Sequence, residues 1–219
     1  MSAPTTVQIS LCRHPLVAHD LHTIRDQNTP SEAFRQAMSR VATLVFHQAT
    51  ARLPLASARV TTPLSETDSH ILDPQQPIVL IPILRAGLIL SEIALQWLPM
   101  AHVHHLGLYR NEETLQPVVY YNKLNTDPAR MGNGLFFVLD PMLATGGSAD
   151  AALALLKSHG VAEERISLVC LIAAPEGVAH INQQHPGVQI YAAALDDHLN
   201  ERGYIVPGLG DAGDRTFGT

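Results

Sequence analysis

The chain predicts an α/β fold in which a mostly parallel central sheet is flanked by helices. Two observations predict it. The runs "PIVLI", "LFFVL" and "ISLVCLI" are apolar but for Ser167, as strands covered on both faces require. Helical patterns follow these runs in alternation, the arrangement of successive βαβ units.

Taken in order, "TPSEAFRQAMSRVATLVFHQATARL" predicts a helix with Thr29 as N-cap, Pro30 in the first helical position and Glu32 closing a capping box. Phe34, Ala37, Met38, Val41 and Val45 form its apolar face. After a polar stretch, "PIVLI" predicts a strand, and "LRAGLILSEIALQWL" turns from it into a helix. "HVHHLGLY" and "PVVYYNKL" predict strands joined by the polar loop "RNEETLQ". Strand "LFFVL", helix "SADAALALLKSHG", strand "RISLVCLI", helix "EGVAHINQQH" and strand "VQIYAAAL" complete the pattern. The tail "NERGYIVPGLGDAGDRTFGT" shows little periodicity and reads as an ordered loop without helix or strand. No repeat or linker interrupts the chain, so residues 1–219 are expected to form one domain.

Hydrophobic residues make up 46% and charged residues 16%, which excludes disordered and fibrous classes. A net charge of -6 with only 14 Lys plus Arg offers no footprint for nucleic acid or an anionic membrane. The longest apolar run is cut by Pro82, Arg85 and Gly87, and the N-terminus lacks the pattern of a signal peptide. Cys12 and Cys170 read as reduced core thiols, so a cytoplasmic protein with a small-molecule partner is expected.

The chemistry concentrates in "LFFVLDPMLATGGSADAALALL", where a strand meets a helix through an acid, a Thr, two glycines and a Ser. A Gly-rich turn at a helix N-terminus binds phosphate through free N–H groups and the positive end of the helix dipole. The Lys of a nucleoside-triphosphate P-loop is missing. Asp140 stands in front instead, suiting a ligand that joins a phosphate to a vicinal diol, as ribose 5-phosphate does. The same residues also suit a structural turn in which Asp140 caps the backbone. "GLGDAG", residues 208–213, matches the dinucleotide pattern G-x-G-x-x-G but lacks the βαβ context that pattern needs. Zinc at His102, His104 and His105 would require a fourth ligand, and no Cys is near.

"FVLDPMLATGGS" resembles the phosphoribosyl-diphosphate (PRPP) motif of type I phosphoribosyltransferases, with Asp-Pro where most members carry two adjacent acids. Together with "PILRAGL", "YRNEETLQPV", "AAPEG" and "GYIVPGLGDAGDRTFGT", it resembles the uracil phosphoribosyltransferases from about residue 13 onward. The resemblance implies transfer of phosphoribose from PRPP to uracil, giving UMP and diphosphate. Asp140 would recognise the diol, with Pro141, Met142, Leu143, Ala144, Thr145, Gly146, Gly147 and Ser148 forming the PRPP loop. Arg85 and Arg110 would bind diphosphate, with Asp140, Arg110 and Asp211 as the catalytic set. Arg110 read alone suits a surface ion pair with Glu112 or Glu113; the resemblance reverses that weighting. Ile205, Gly210, Asp211 and Ala212 would contact the base, and the loop from Arg110 to about Lys123 would close over PRPP.

Magnesium is expected to arrive on the diphosphate, with no dedicated protein ligands named. A homo-oligomer, at least a dimer, and GTP as a possible allosteric effector belong to the same expectation. Two rivals share the PRPP loop: a transferase for another base, and a PRPP-fold regulator that binds RNA. The first should lack the "YIVPGLGDAGD" tail, and the second should show a basic face.

Overall fold

The computed structural model describes residues 8–110, 117–124 and 133–219, with side chains undescribed for Arg110 and Pro117. Strand β1 (Ser10–Leu11) leads into helices α1 (Pro15–Arg25) and α2 (Ser31–Thr50). An antiparallel hairpin of β2 (Leu55–Thr61) and β3 (Glu66–Leu72) precedes β4 (Ile78–Leu84) and α3 (Gly87–Trp97). β5 (His102–Val103), β6 (Leu106–Arg110) and β7 (Pro117–Asn122) come next. Strands β8 (Leu135–Leu139) and β9 (Met142–Leu143) then lead into α4 (Gly147–Ser158). β10 (Ile166–Val169), β11 (Ile172–Ala173), α5 (Pro175–Gln184), β12 (Gln189–Ala192) and β13 (Ala194–Leu195) follow. The tail holds β14 (His198–Leu199), β15 (Ile205–Val206) and α6 (Ala212–Phe217).

The main sheet runs β1-β12-β10-β8-β4-β6-β7, parallel throughout except for the β6–β7 pair. This is the mostly parallel sheet the apolar runs predict. Its central strands divide their side chains between two cores by strict alternation. Ile78 and Leu80 of β4, with Phe137 and Leu139 of β8, pack with α1, α2 and α3. Val79, Ile81, Phe136 and Val138 pack on the opposite face with α4 and α5.

The run "RISLVCLI" is two strands and not one, as is "VQIYAAAL". β9, β11 and β13 form a separate parallel sheet just beyond the carboxyl ends of β8, β10 and β12. The break falls where Pro141, which has no N–H to donate, offers its carbonyl to both Leu171 N at 2.9 Å and Ile172 N at 3.1 Å.

Several local expectations are corrected. Thr29 does not cap α2: its hydroxyl donates to Thr23 O at 2.7 Å, tying down the turn after α1, and Pro30 takes the cap position without a side-chain bond. The tail is not free of regular structure, since β15 pairs with β14 and α6 is capped by Asp211, whose Oδ1 accepts from Asp214 N at 2.9 Å. The helix α1 and the hairpin β2–β3 had no sequence prediction at all.

Candidate active site

The site lies at the carboxyl ends of β8 and β4, where open parallel sheets receive ligands. Gly146 adopts a left-handed φ of 87° and opens α4. Gly146 brings no side-chain cap, and the Gly147 amide makes only a long bond, 3.4 Å, to Thr145 Oγ1, so the turn keeps amides that a ligand can engage. A Cβ at Gly146 would stand 3.0 Å from His180 Cδ2, so the turn is tight as well as left-handed. Two further glycines permit close packing: a Cβ on Gly87 would run into Leu139 O, and one on Gly177 into Ala144 O.

Asp140 ends β8. Its Oδ1 accepts only a long bond, 3.5 Å, from Met142 N. Removal from water raises its carboxyl to about 7, and the Met142 amide pulls weakly the other way. Cys170 lies below, its thiol pushed up by burial and by the Asp140 charge, and donates to Tyr191 O at 3.4 Å.

A cleft of about 290 Å³ is bounded on one side by Asp140 and residues 142–148, and on the other by Ile205, Gly210, Asp211 and Ala212. The two sequence-distant motifs thus face each other. A connected opening of about 380 Å³ passes Arg85, Tyr109 and Tyr120 and shares Asp140, Ser148 and Asp211 with the cleft. Arg85 follows a cis Leu84–Arg85 peptide, and its Nη2 bonds Asp214 Oδ1 at 3.1 Å. Pro141 is buried and does not line the cleft; its role is the carbonyl that holds β11. The Arg110 backbone closes β6, while its side chain, Glu112, Glu113 and the rest of residues 111–116 lie outside the described residues.

Sequence reasoning missed Tyr204 and Gly203 on the tail side of the cleft, and Tyr109 and Tyr120, whose ring centroids are 6.2 Å apart at the other opening. The signal for Tyr204 was present in "GYIVPG"; that for the tyrosine pair was not, because register across β6–β7 brings them together. The "GLGDAG" pattern does run into a helix, but α6 ends at Phe217 and no strand follows. Among the described residues, no group of three or more His, Cys, Asp or Glu stands close enough to hold a metal ion, and no helix is long and apolar enough to cross a membrane.

The tail wall is anchored by arginines. Arg215 donates to Ile24 O at 2.5 Å, Leu209 O at 2.7 Å and Asp26 O at 2.6 Å, and its guanidinium lies 4.3 Å from the Phe34 ring centre. Arg35 donates to Thr216 O at 2.9 Å. Ile205, Leu209 and Ala212 are buried in the core shared with α1 and α2, so the tail wall is an extension of the core.

A family model described as uracil phosphoribosyltransferase matches residues 11–219. A uracil phosphoribosyltransferase of Roseiflexus castenholzii is 51% identical over 97% of this chain and 99% of its own length. One from Dictyoglomus thermophilum is 48% identical over 94% of this chain and 97% of its own. A solved structure of an Aquifex aeolicus protein superposes with a TM-score of 0.87 at 38% identity, covering 95% of this chain and 97% of that one. With the PRPP-type loop and the tail wall facing one cleft, and these relatives matching nearly end to end, the chain belongs to the uracil phosphoribosyltransferase family.

Proposed function

We propose that the protein transfers the 5-phosphoribosyl group of PRPP to N1 of uracil, releasing UMP and diphosphate. The observation that supports it most is the single cleft shared by the Asp140–Ser148 loop and the Ile205–Ala212 segment. A phosphoribosyl donor held by the first would present its anomeric carbon to a base held by the second.

In this reading the first-turn amides of α4, with the Thr145 and Ser148 hydroxyls, hold the 5-phosphate. Asp140 accepts the ribose diol as a carboxylate and opposes the positive charge that grows on the ring as the C1–diphosphate bond breaks. Arg85 and Arg110 hold the departing diphosphate through their planar forks. Main-chain groups of Ile205, Gly210 and Ala212 pair with the uracil N3–H and O4, and Asp211 borders both halves. Magnesium belongs to the substrate, entering on the PRPP diphosphate.

A homo-oligomer fits the exposed Leu55, Val60, Leu64 and Ile71 of the β2–β3 hairpin. Two free, buried thiols suit a cytoplasmic setting. A GTP response rests on the family resemblance alone. Diphosphate release from PRPP with a panel of bases tests the reaction, and a parallel RNA titration tests the regulator. Release with uracil, and not with cytosine or the purines, is expected. Release only with a purine, or RNA binding without release, would replace this reading.

A further inference from the structure

Asp196 is a buried carboxylate in the turn between β13 and β14, and its side-chain bonds run to Arg25 and to Gly208 in the wall that this reading gives to the base. Its Oδ1 accepts from Arg25 Nη2 at 2.6 Å, and its Oδ2 accepts from Arg25 Nη1 at 2.8 Å and from Gly208 N at 2.8 Å. Arg25 Nη1 also donates to Gly208 O at 2.8 Å. Both main-chain polar groups of one glycine are therefore gripped by one ion pair. Gly208 lies between Ile205 and Gly210, at a φ of 59°, where a Cβ would run into Ile205 O. The Asp196 side chain is 3% exposed and that of Arg25 26%, so the pair is largely shielded from water. A charge removed from water needs good partners, and here the partners include the recognition backbone itself.

We propose that Arg25 and Asp196 are positioning residues for the base: their ion pair fixes the Gly208 main chain and thereby aims the neighbouring groups that read the pyrimidine edge. The proposal rests on the transferase reading above. It differs from a general stabilising role because the side-chain bonds converge on Gly208 in the wall proposed for the base, and none of them reaches residues 142–148. The pair's link toward that loop is main-chain: Asp196 N donates to Ala173 O of β11, which pairs with β9.

The test is steady-state kinetics of full-length Asp196→Asn, Arg25→Lys and Arg25→Gln, each with uracil, cytosine and PRPP varied in turn. Loss of a charge-assisted bond is expected to raise the KM for uracil roughly tenfold in Asp196→Asn and Arg25→Gln. The KM for PRPP should stay within about twofold. Arg25→Lys should fall between, since an ammonium keeps the charge but lacks the fork that spans both carboxylate oxygens and the carbonyl. The preference for uracil over cytosine should narrow in the same order. Should Asp196→Asn fail to fold, the two Arg25 variants decide the question from a partly exposed side chain. Equal rises in both KM values, or an unchanged KM for uracil with only a lowered melting temperature, would overturn the proposal while leaving the transferase reading intact. A parent enzyme inert toward uracil would overturn both.

Discussion

The Arg85 guanidinium lies 3.1 Å from the Asp214 carboxylate, joining the end of β4 to α6 across 129 residues of chain. With side chains 58% and 49% exposed, such a pair adds little to stability. What it does is hold a flexible cation at the opening that borders Asp140 and Asp211. Arg85→Ala is expected to weaken PRPP and diphosphate more than uracil. Asp214→Asn should give a smaller rise in the KM for PRPP, on the order of threefold, with the melting temperature nearly unchanged. Initial rates with each substrate varied, beside a thermal melt, check both.

Asp140 makes opposite demands on stability and activity. The unfolded carboxyl titrates near 3.8 and the folded one at about 7, so as pH rises between them the unfolded state sheds its proton first and folding loses free energy. Asp140→Asn is neutral at every pH and should be more stable than the parent above about pH 4, with the gap levelling off past about pH 7. Urea denaturation at pH 5 and pH 8 measures it. Activity should move the other way, falling by roughly one to two decades as the amide loses the charge facing the ribose ring. At low PRPP the parent's rate should climb with pH to about 7, and the variant should lack that limb.

Gly177 begins α5 against the PRPP loop, with a position for Cβ that collides with Ala144 O and stands 2.9 Å from Leu143 O. Gly177→Ala must shift backbone, at a cost of about 1–3 kcal/mol. Since the shifted backbone is the loop itself, the KM for PRPP should rise as well. Denaturation and a PRPP titration on the same preparation separate the two effects.

Cytosine places an amino donor where uracil has O4 and an acceptor where uracil has N3–H, setting like against like on the same main-chain groups. Each buried group left unpaired costs about 1–3 kcal/mol, so discrimination of roughly four decades is within reach. Cytosine should be nearly inert, whereas 5-fluorouracil, which keeps the uracil pattern, should be accepted. Deleting residues 205–219 should abolish UMP formation, and it removes core side chains Ile205, Leu209 and Ala212 at the same time. The base comparison on the intact protein is therefore the cleaner measurement.

The central sheet was legible because β4, β8 and β10 are covered on both faces and wear that fact as apolar sequence interrupted only by Ser167. The PRPP loop was legible because its parts are contiguous, from Asp140 to Ser148. The hairpin β2–β3 was not, since its residues are mostly exposed and carry no hydrophobic alternation to read. Nor was α6, six residues long and capped by Asp211 in a Gly-rich stretch, too short for a period to emerge. The cap at Thr29 failed for a different reason: a hydroxyl can serve a helix or the preceding turn, and Thr23 O was the nearer claimant. Arg25, Asp196 and Arg215 were invisible because the bonds that tie the tail to α1 and the turn after it span 171 to 191 residues.

That separation has a consequence for the order in which the molecule assembles. The loop proposed for PRPP is a strand, a turn and a helix that adjoin in sequence, and its further supports are nearer than the tail's: β9 pairs with β11, and Gly177 packs against Ala144 O. The base-side wall depends on Arg25 meeting Asp196 across 171 residues and Arg215 meeting Ile24 across 191, among the longest loops the chain can close. Base recognition should then be the last property gained on refolding and the first surrendered in mild denaturant. Between those limits a range of conditions is expected in which the chain still grips its phosphorylated donor and no longer tells one pyrimidine from another, which donor binding and base selectivity measured in stepped urea would check.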